Sequence, residues 1–192
     1  RHQDVLNLYS VNPRSTVSKL LIKESVPKYV KEETLDNIRL GKDYILLPSD
    51  RDGFMQLYLY SGTGTLKRKI GDGKFDITNV YGVDEKTGDV YYQAAALNAH
   101  DRQIYVSHTN GKVERLTNQE GWNTAIFSGD YQYFVNTWSD YNTPYVYTTR
   151  KNDGKIIATN VDNHELKAKT QQYGWSKREA FSFTTSEGIK LD

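Results

Sequence analysis

The sequence predicts an all-β fold, a partial β-propeller of about three to four antiparallel four-stranded blades that form an open arc. Three observations predict it. A Tyr-rich strand pattern recurs at intervals of roughly 40–50 residues, the length of one propeller blade. Glycines recur at fixed distances before and after this strand. The 15 tyrosines among 192 residues suit pleated, half-exposed sheets.

The recurring strand occurs four times, and the intervals between successive copies are 49, 47 and 41 residues. The copies are residues 7–11, 56–60, 103–107 and 144–148. The second copy follows the charged stretch SDRDGF, in which Asp50, Asp52 and Gly53 are typical turn formers. A calcium loop would need further spaced acids and a distal Glu, so no metal site is predicted there.

The glycines keep the same register as the strand. In each complete unit one glycine lies 16 residues before the second strand position, and another lies 7 to 9 residues after it. They are Gly41, Gly88 and Gly129 before the strand, and Gly64, Gly111 and Gly154 after it. Three identical offsets argue against chance. Each unit therefore contains a strand, a Gly/Asp turn, a strand, a charged loop, a strand, a Gly turn and a last strand, which together make one four-stranded blade.

These units divide the chain into five parts, and a short first copy implies that Arg1 starts inside a blade. The parts are residues 1–26 (second half of a blade), 27–73, 74–120 and 121–180 (blades), and 181–192 (start of a junction). The first strands of the complete blades are expected at residues 37–40, 75–83 and 123–127. A closed propeller needs about four complete blades, so we expect open edge strands or burial of those edges by self-association.

Composition excludes several classes of function. The 25 basic and 24 acidic residues are spread along the chain, so no nucleic-acid partner is predicted. No apolar run approaches the roughly 20 residues of a membrane-spanning helix. The absence of cysteine excludes disulfides and thiolate chemistry.

No motif for nucleophilic, metal or nucleotide chemistry occurs: Gly-x-Ser-x-Gly, His-Glu-x-x-His and Gly-rich phosphate loops are all absent from the sequence. A glycosidase pair among the many acids stays open. The histidines are expected to be solvated or structural; they are His2, His100, His108 and His164. The tryptophans are expected to fill blade interfaces rather than to stack on sugars; they are Trp122, Trp138 and Trp175.

Three stretches carry a resemblance to a known family. Residues 1–13, which read RHQDVLNLYSVNP, and residues 49–60, which read SDRDGFMQLYLY, resemble late propeller blades of the dipeptidyl peptidase IV-like serine peptidases of the prolyl oligopeptidase superfamily. Residues 181–192, which read FSFTTSEGIKLD, resemble the junction between that propeller and an α/β-hydrolase domain. The resemblance implies that the chain is the C-terminal half of the N-terminal propeller domain.

That resemblance implies a serine exopeptidase that removes N-terminal dipeptides, often after Pro or Ala. Its Ser-Asp-His triad would lie downstream of Asp192, and the paired glutamates that hold the substrate amine would lie upstream of Arg1. The segment itself would therefore hold no catalytic residue, no metal and no cofactor. Its part would be to wall and gate the cavity over the hydrolase domain, which with peptide substrates would be its partner.

One segment is a candidate contact with the substrate cavity: Lys31, Glu32, Glu33 and Thr34. The resemblance implies cavity-facing side chains there, although the mammalian enzyme has an aromatic residue and an Arg where Glu33 and Thr34 stand. The alternative is a solvated acidic loop. For the whole chain, one alternative is a propeller module of a bacterial envelope protein that binds proteins or glycans without peptidase activity. A self-contained propeller enzyme is a third reading. The expected location is the bacterial periplasm or cell envelope.

Overall fold

The computed structural model describes residues 3–191 apart from the side chain of Glu33. Arg1, His2 and Asp192, which belong to the predicted half blade and junction, lie outside the described residues. The strands are β1 (Val5–Val11), β2 (Ser18–Ser25), β3 (Arg39–Leu40), β4 (Tyr44–Ser49), β5 (Gln56–Ser61), β6 (Leu66–Ile70), β7 (Ile77–Val83), β8 (Val90–Ala94), β9 (Gln103–Ser107), β10 (Val113–Arg115), β11 (Trp122–Phe127), β12 (Tyr133–Ser139), β13 (Val146–Lys151), β14 (Ile156–Val161), β15 (Phe183–Thr184) and β16 (Lys190–Leu191). The helices are α1 (Glu32–Asp36) and α2 (His164–Gln172).

The strands form separate antiparallel sheets in simple up-and-down order. The first blade is β3-β4-β5-β6, the second blade is β7-β8-β9-β10 and the third blade is β11-β12-β13-β14. Strands β1 and β2 pair as a half blade, and β15 and β16 pair as a short hairpin. None of these sheets closes on itself, so the predicted partial propeller in an open arc is confirmed.

The hydrophobic core lies in three seams between neighbouring sheets. The first seam joins the half blade to the first blade, the second seam joins the first and second blades, and the third seam joins the second and third blades. Strand β4 shows how one strand serves two seams: Leu46 faces the second seam, while Ile45 and Leu47 face the first. Successive side chains of a strand point to opposite faces, so the middle strands are apolar on both faces.

Buried glutamines repeat from blade to blade. Gln56 and Gln103, which begin β5 and β9, are both fully buried. The Nε2 atom of Gln56 donates to the Phe75 carbonyl at 2.7 Å, and that of Gln103 donates to the Gln119 carbonyl at 2.7 Å. A buried polar side chain needs hydrogen-bond partners, and each glutamine finds one in the backbone of the link to the next blade. Each glutamine thus fixes that link.

The glycines of the repeat have two physical roles. Gly53 has a φ of 102° and donates its N–H to the Asp50 carbonyl at 2.9 Å, which confirms the turn between β4 and β5. Gly64 has a φ of 90°, and a Cβ there would lie 2.2 Å from the Leu21 carbonyl oxygen on the half blade. The glycine after the third strand is therefore required by close packing as well as by the turn.

Three features differ from the sequence expectations. Residues 164–172 form the helix α2 inside the range assigned to the last blade. The segment expected as an acidic loop after Val30 is partly the short helix α1. The expectation that tryptophans fill blade interfaces is wrong for Trp175, which follows α2 and is 65% exposed. It holds in part for Trp122, which is 47% exposed but stacks on Arg102 of the second blade.

No helix in the described part of the chain is long and apolar enough to cross a membrane.

Candidate functional site

The longer connections between strands lie at the same end of the strands in each blade. In an up-and-down sheet, successive connections lie at opposite ends of the strands. The turn between the second and third strands of each blade therefore lies at the same end as the link to the next blade. We call this the loop end; it carries residues 26–38, 50–55, 71–76, 95–102, 116–121 and 140–145.

The predicted cavity segment lies at the loop end, and its residues have different surroundings. The Lys31 Nζ forms an ion pair with the Asp50 Oδ2 at 3.0 Å, and this hydrogen bond raises the pKa of Lys31. Glu32 is exposed, whereas Thr34 is buried and donates its N–H to the Lys31 carbonyl at 3.1 Å. Among the described side chains of this segment, Lys31 and Glu32 are the ones that a ligand at the loop end can reach, and the predicted Glu33 side chain lies outside the described part of the structure. The cavity-contact role of the segment stays a prediction.

A buried charge cluster lies next to Asp50, the residue that pairs with Lys31. Glu24 on β2 is 1% exposed, and its carboxylate contacts the Ser49 hydroxyl and the Arg51 guanidinium. Arg51 also donates to the Tyr60 hydroxyl at 3.0 Å and lies 3.9 Å above the Tyr58 ring. Burial raises the pKa of Glu24, and the contacts with Ser49 and Arg51 oppose that rise. The cluster fixes the charged turn after β4 against the half blade.

Sequence reasoning missed this cluster. It assigned the SDRDGF stretch to turn formation, which is correct for Asp50 and Gly53 but overlooks Arg51. The available signal was Glu24 at a core-facing position of β2, since Ile22 two residues earlier is buried on the same face. An acid in that register indicates a buried partner.

A cavity of about 220 Å³ opens beside Lys31 at the second seam. Met55, which forms part of its wall, is held by its own backbone: its N–H donates to the Asp76 carboxylate at 2.7 Å, and its carbonyl accepts the Ile77 N–H at 2.9 Å. The lining residues are Lys31, Asn37, Pro48, Met55, Leu57, Ile77, Thr78, Asn79 and Val80. Five of these nine residues are apolar, and the other four add polar groups to the lining.

A larger groove of about 860 Å³ lies between the loop at residues 140–145, helix α2 and residues 175–178. The Asn142 side chain makes two hydrogen bonds to the backbone of Arg178: it accepts from the N–H at 2.8 Å and donates to the carbonyl at 3.0 Å. The Asn163 side chain donates to the Tyr145 carbonyl at 2.6 Å. These bonds hold the segment that leads to the β15–β16 hairpin against the third blade.

Of the described histidines, His100 lies at the loop end, where the centre of its ring is 6.3 Å from that of Tyr141. The His108 Nδ1 is 2.9 Å from the Asp89 carboxylate, at the end of the second blade opposite the loop end. His164 pairs with Asp162 at 2.7 Å on an exposed surface. Among residues 3–191, no group of three His, Asp or Glu side chains could hold a metal ion.

Comparisons with known proteins agree on one family. The model of the "Dipeptidyl peptidase IV (DPP IV) N-terminal region" matches residues 1–145. Dipeptidyl peptidase 4 of Trichophyton rubrum is 25% identical over 202 residues, which cover 100% of this chain and 26% of that protein. Dipeptidyl peptidase 4 of Trichophyton tonsurans is 28% identical over 138 residues, which cover 69% of this chain and 18% of that protein.

The crystal structure of Porphyromonas gingivalis dipeptidyl peptidase 4 superposes with a TM-score of 0.94 at 31% sequence identity. The match covers 98% of this chain and 27% of that chain. This chain thus spans about a quarter of the length of the first of these relatives and of the solved structure.

Proposed function

We propose, on the premise that this chain belongs to the dipeptidyl peptidase IV N-terminal region family, that it walls and gates the peptide cavity of a serine dipeptidyl peptidase. The observation that carries the proposal is the structural match to Porphyromonas gingivalis dipeptidyl peptidase 4, at a TM-score of 0.94 over 98% of the chain. In this proposal the parent protein removes N-terminal dipeptides, and this chain performs none of the chemistry itself.

The shape of the chain supports a wall. Stacked blades joined by apolar seams are rigid, and the loop end presents charged and polar groups such as Lys31 and Glu32. A rigid rim over a catalytic domain admits an extended peptide end, while it excludes folded proteins and bulk water. The absence of a Gly-x-Ser-x-Gly motif from the sequence fits a division of labour in which a separate hydrolase domain carries the nucleophile.

The proposed partners are the parent's own α/β-hydrolase domain and its peptide substrates. The outer face of the third blade, where Ile126 is 75% exposed, is a further apolar surface through which copies of this chain would associate when the chain is produced alone. The proposed location is the periplasm or cell envelope of a bacterium, and the bacterial source of the matched structure supports it.

The test uses the full-length parent, the parent with its elbow serine changed to alanine, and this chain alone. We expect the parent to release Ala-Pro from a chromogenic Ala-Pro anilide, and we expect the other two proteins to be inactive. A parent that releases no dipeptide from any such substrate would overturn the proposal and favour a binding module.

The gating part has its own test. A peptide that begins with Ala-Pro is compared with a folded protein that carries the same N-terminal sequence on a short, tightly packed terminus. We expect cleavage of the peptide and resistance of the folded protein, and cleavage of the protein once urea unfolds it. Equal rates for the two forms would show that the propeller excludes nothing.

A further inference from the structure

The second and third seams can be compared position by position. Ile77 donates its N–H to the Met55 carbonyl at 2.9 Å, and Asn123 donates its N–H to the Arg102 carbonyl at 2.9 Å. Met55 and Arg102 therefore occupy the same place, one in each seam. By the same register Asp76 corresponds to Trp122 and Thr78 corresponds to Thr124.

In the third seam this place is filled. The Arg102 guanidinium lies 4.6 Å from the centre of the Trp122 ring, a cation–π contact. Its Nη1 also donates to the carbonyls of Ala99 and Asp101, both at 2.9 Å. The stacked pair covers the end of the seam.

In the second seam the same place is hollow. Met55 is an apolar side chain without Arg102's planar head, and the Asp76 carboxylate turns to the Met55 N–H instead of stacking. The cavity of about 220 Å³ is the space that results. Differences at two repeat positions thus account for the cavity.

The chemistry of the cavity selects one kind of occupant. Pro48, Leu57, Ile77 and Val80 form apolar walls, and the volume of about 220 Å³ is below the roughly 300–1,000 Å³ of a site for a whole small molecule. At the mouth, Lys31 is paired with Asp50 at 3.0 Å and Asp76 adds a second carboxylate nearby, so the mouth disfavours an acidic side chain. An uncharged apolar side chain fits both features.

We propose that this cavity is a specificity pocket for one apolar side chain of the peptide substrate, at a position beyond the dipeptide that is removed. This inference rests on the proposed function. In the proposed reaction the peptide ends with the dipeptide on one side of the scissile bond and continues only on the other side, so further side chains for such a pocket come from beyond the dipeptide. The pocket then contributes binding energy at a distance from the chemistry.

The test is a comparison of substrates in the full-length parent. Peptides that begin with Ala-Pro carry Leu or Asp in turn at each later position, and an Ala-Pro anilide serves as the reference substrate. We expect the unaltered parent to prefer Leu over Asp at one position by about 10-fold in kcat/KM, mainly through KM.

Met55→Arg gives the second seam the residue of the third, which is expected to fill the cavity and abolish that preference. Arg102→Met is the matched control, because it makes the reverse change at the corresponding position of the third seam, and it is expected to keep the preference. If Met55→Arg does not fold, Met55→Phe performs the same test by filling the cavity without a charge.

The outcomes separate the two proposals. A Leu preference that survives filling of the cavity, or the absence of any preference, overturns the pocket while cleavage of the anilide still supports the peptidase. A parent that cleaves neither the anilide nor the peptides overturns both.

Discussion

The first and third seams join sheets of the same architecture, but they are filled with different chemistry. The first seam holds the buried carboxylate of Glu24 between Ser49 and Arg51, among apolar neighbours such as Ile22. The third seam holds stacked and tilted rings; the ring pairs are Tyr91–Phe127 at 4.7 Å, Phe127–Phe134 at 4.9 Å and Tyr91–Tyr131 at 5.0 Å. The space between two blades has to be filled by side chains, and either a hydrogen-bonded charge cluster or a cluster of aromatic rings can fill it.

This difference implies different sensitivities. A ring cluster depends on volume and contact, which do not change between about pH 4 and 8, and burial raises the pKa of Tyr91 to about 12. A buried carboxylate depends on its proton and on its partners. Substitutions and pH should therefore affect the two seams differently.

The largest expected effect is that of Phe134→Ala in the third seam. Phe134 is fully buried between the second and third blades, so its truncation is expected to lower the free energy of unfolding by about 4 kcal/mol, since the cavity adds to the lost burial. Urea unfolding measures the total, and hydrogen exchange of the β11 and β12 amides localises it.

Tyr133→Ala is the control, because Tyr133 is the adjacent residue of β12 and points to the exposed face. Its expected effect is about 1 kcal/mol or less. Equal losses for the two variants would mean that the ring cluster does not hold the third seam.

The second prediction concerns pH and the first seam. Burial raises the pKa of Glu24 in the folded protein above its value in the unfolded chain, about 4.3. The folded state therefore binds this proton more tightly than the unfolded chain does. The contribution of Glu24 to stability is fully present below pH 4.3 or so, and it is lost as the pH rises through the raised pKa.

The measurement is the free energy of unfolding of the unaltered chain minus that of Glu24→Gln, from pH 4 to pH 7.5 or so. We expect this difference to fall as pH rises. The same subtraction with Phe134→Ala is expected to be flat across that range, because no titrating group changes. A difference that rises with pH at Glu24 would mean that the ion pair with Arg51 outweighs burial.

The arc itself could be predicted from the sequence because its signals are local and periodic. A strand pattern with glycines at constant offsets determines both the strand order and the blade length, and the pairing of β4 with β5 follows from the turn at Gly53. The helix α2 gave no such signal: none of its residues is buried, so it lacks the apolar stripe by which a helix is recognised.

The candidate site was much less predictable. Its cavity exists because Met55 stands where the next blade has Arg102, and the effect of that difference depends on Asp76 and Trp122 from another strand. The cavity lies between two repeats and results from a difference between them. A repeat pattern describes only what the copies share, so it does not predict such a cavity. The residues that depart from the repeat therefore determine where the cavity lies, but only the structure shows that their departure leaves a cavity.

The smallest expected effect is that of Tyr131→Phe in the third seam. Tyr131 lies in the β11–β12 turn at a φ of 55°, and its hydroxyl donates to the Tyr81 carbonyl at 3.3 Å. Loss of this one hydrogen bond is expected to cost about 1 kcal/mol, since the ring and its stacking remain.

Gly82 sharpens this test, because a Cβ at Gly82 would lie 2.0 Å from the Tyr131 hydroxyl oxygen and 3.2 Å from the ring carbon that bears it. Gly82→Ala should therefore destabilise the unaltered chain, both by this clash and by its φ of 140°. In the Tyr131→Phe background the contact with the hydroxyl oxygen is removed, while the tight contact of 3.2 Å with the ring carbon and the backbone strain stay. The double-mutant cycle is expected to show a favourable coupling of about 1 kcal/mol. Strictly additive effects would mean that Tyr131 does not pack against Gly82, and that the packing of the third seam does not extend beyond the ring cluster.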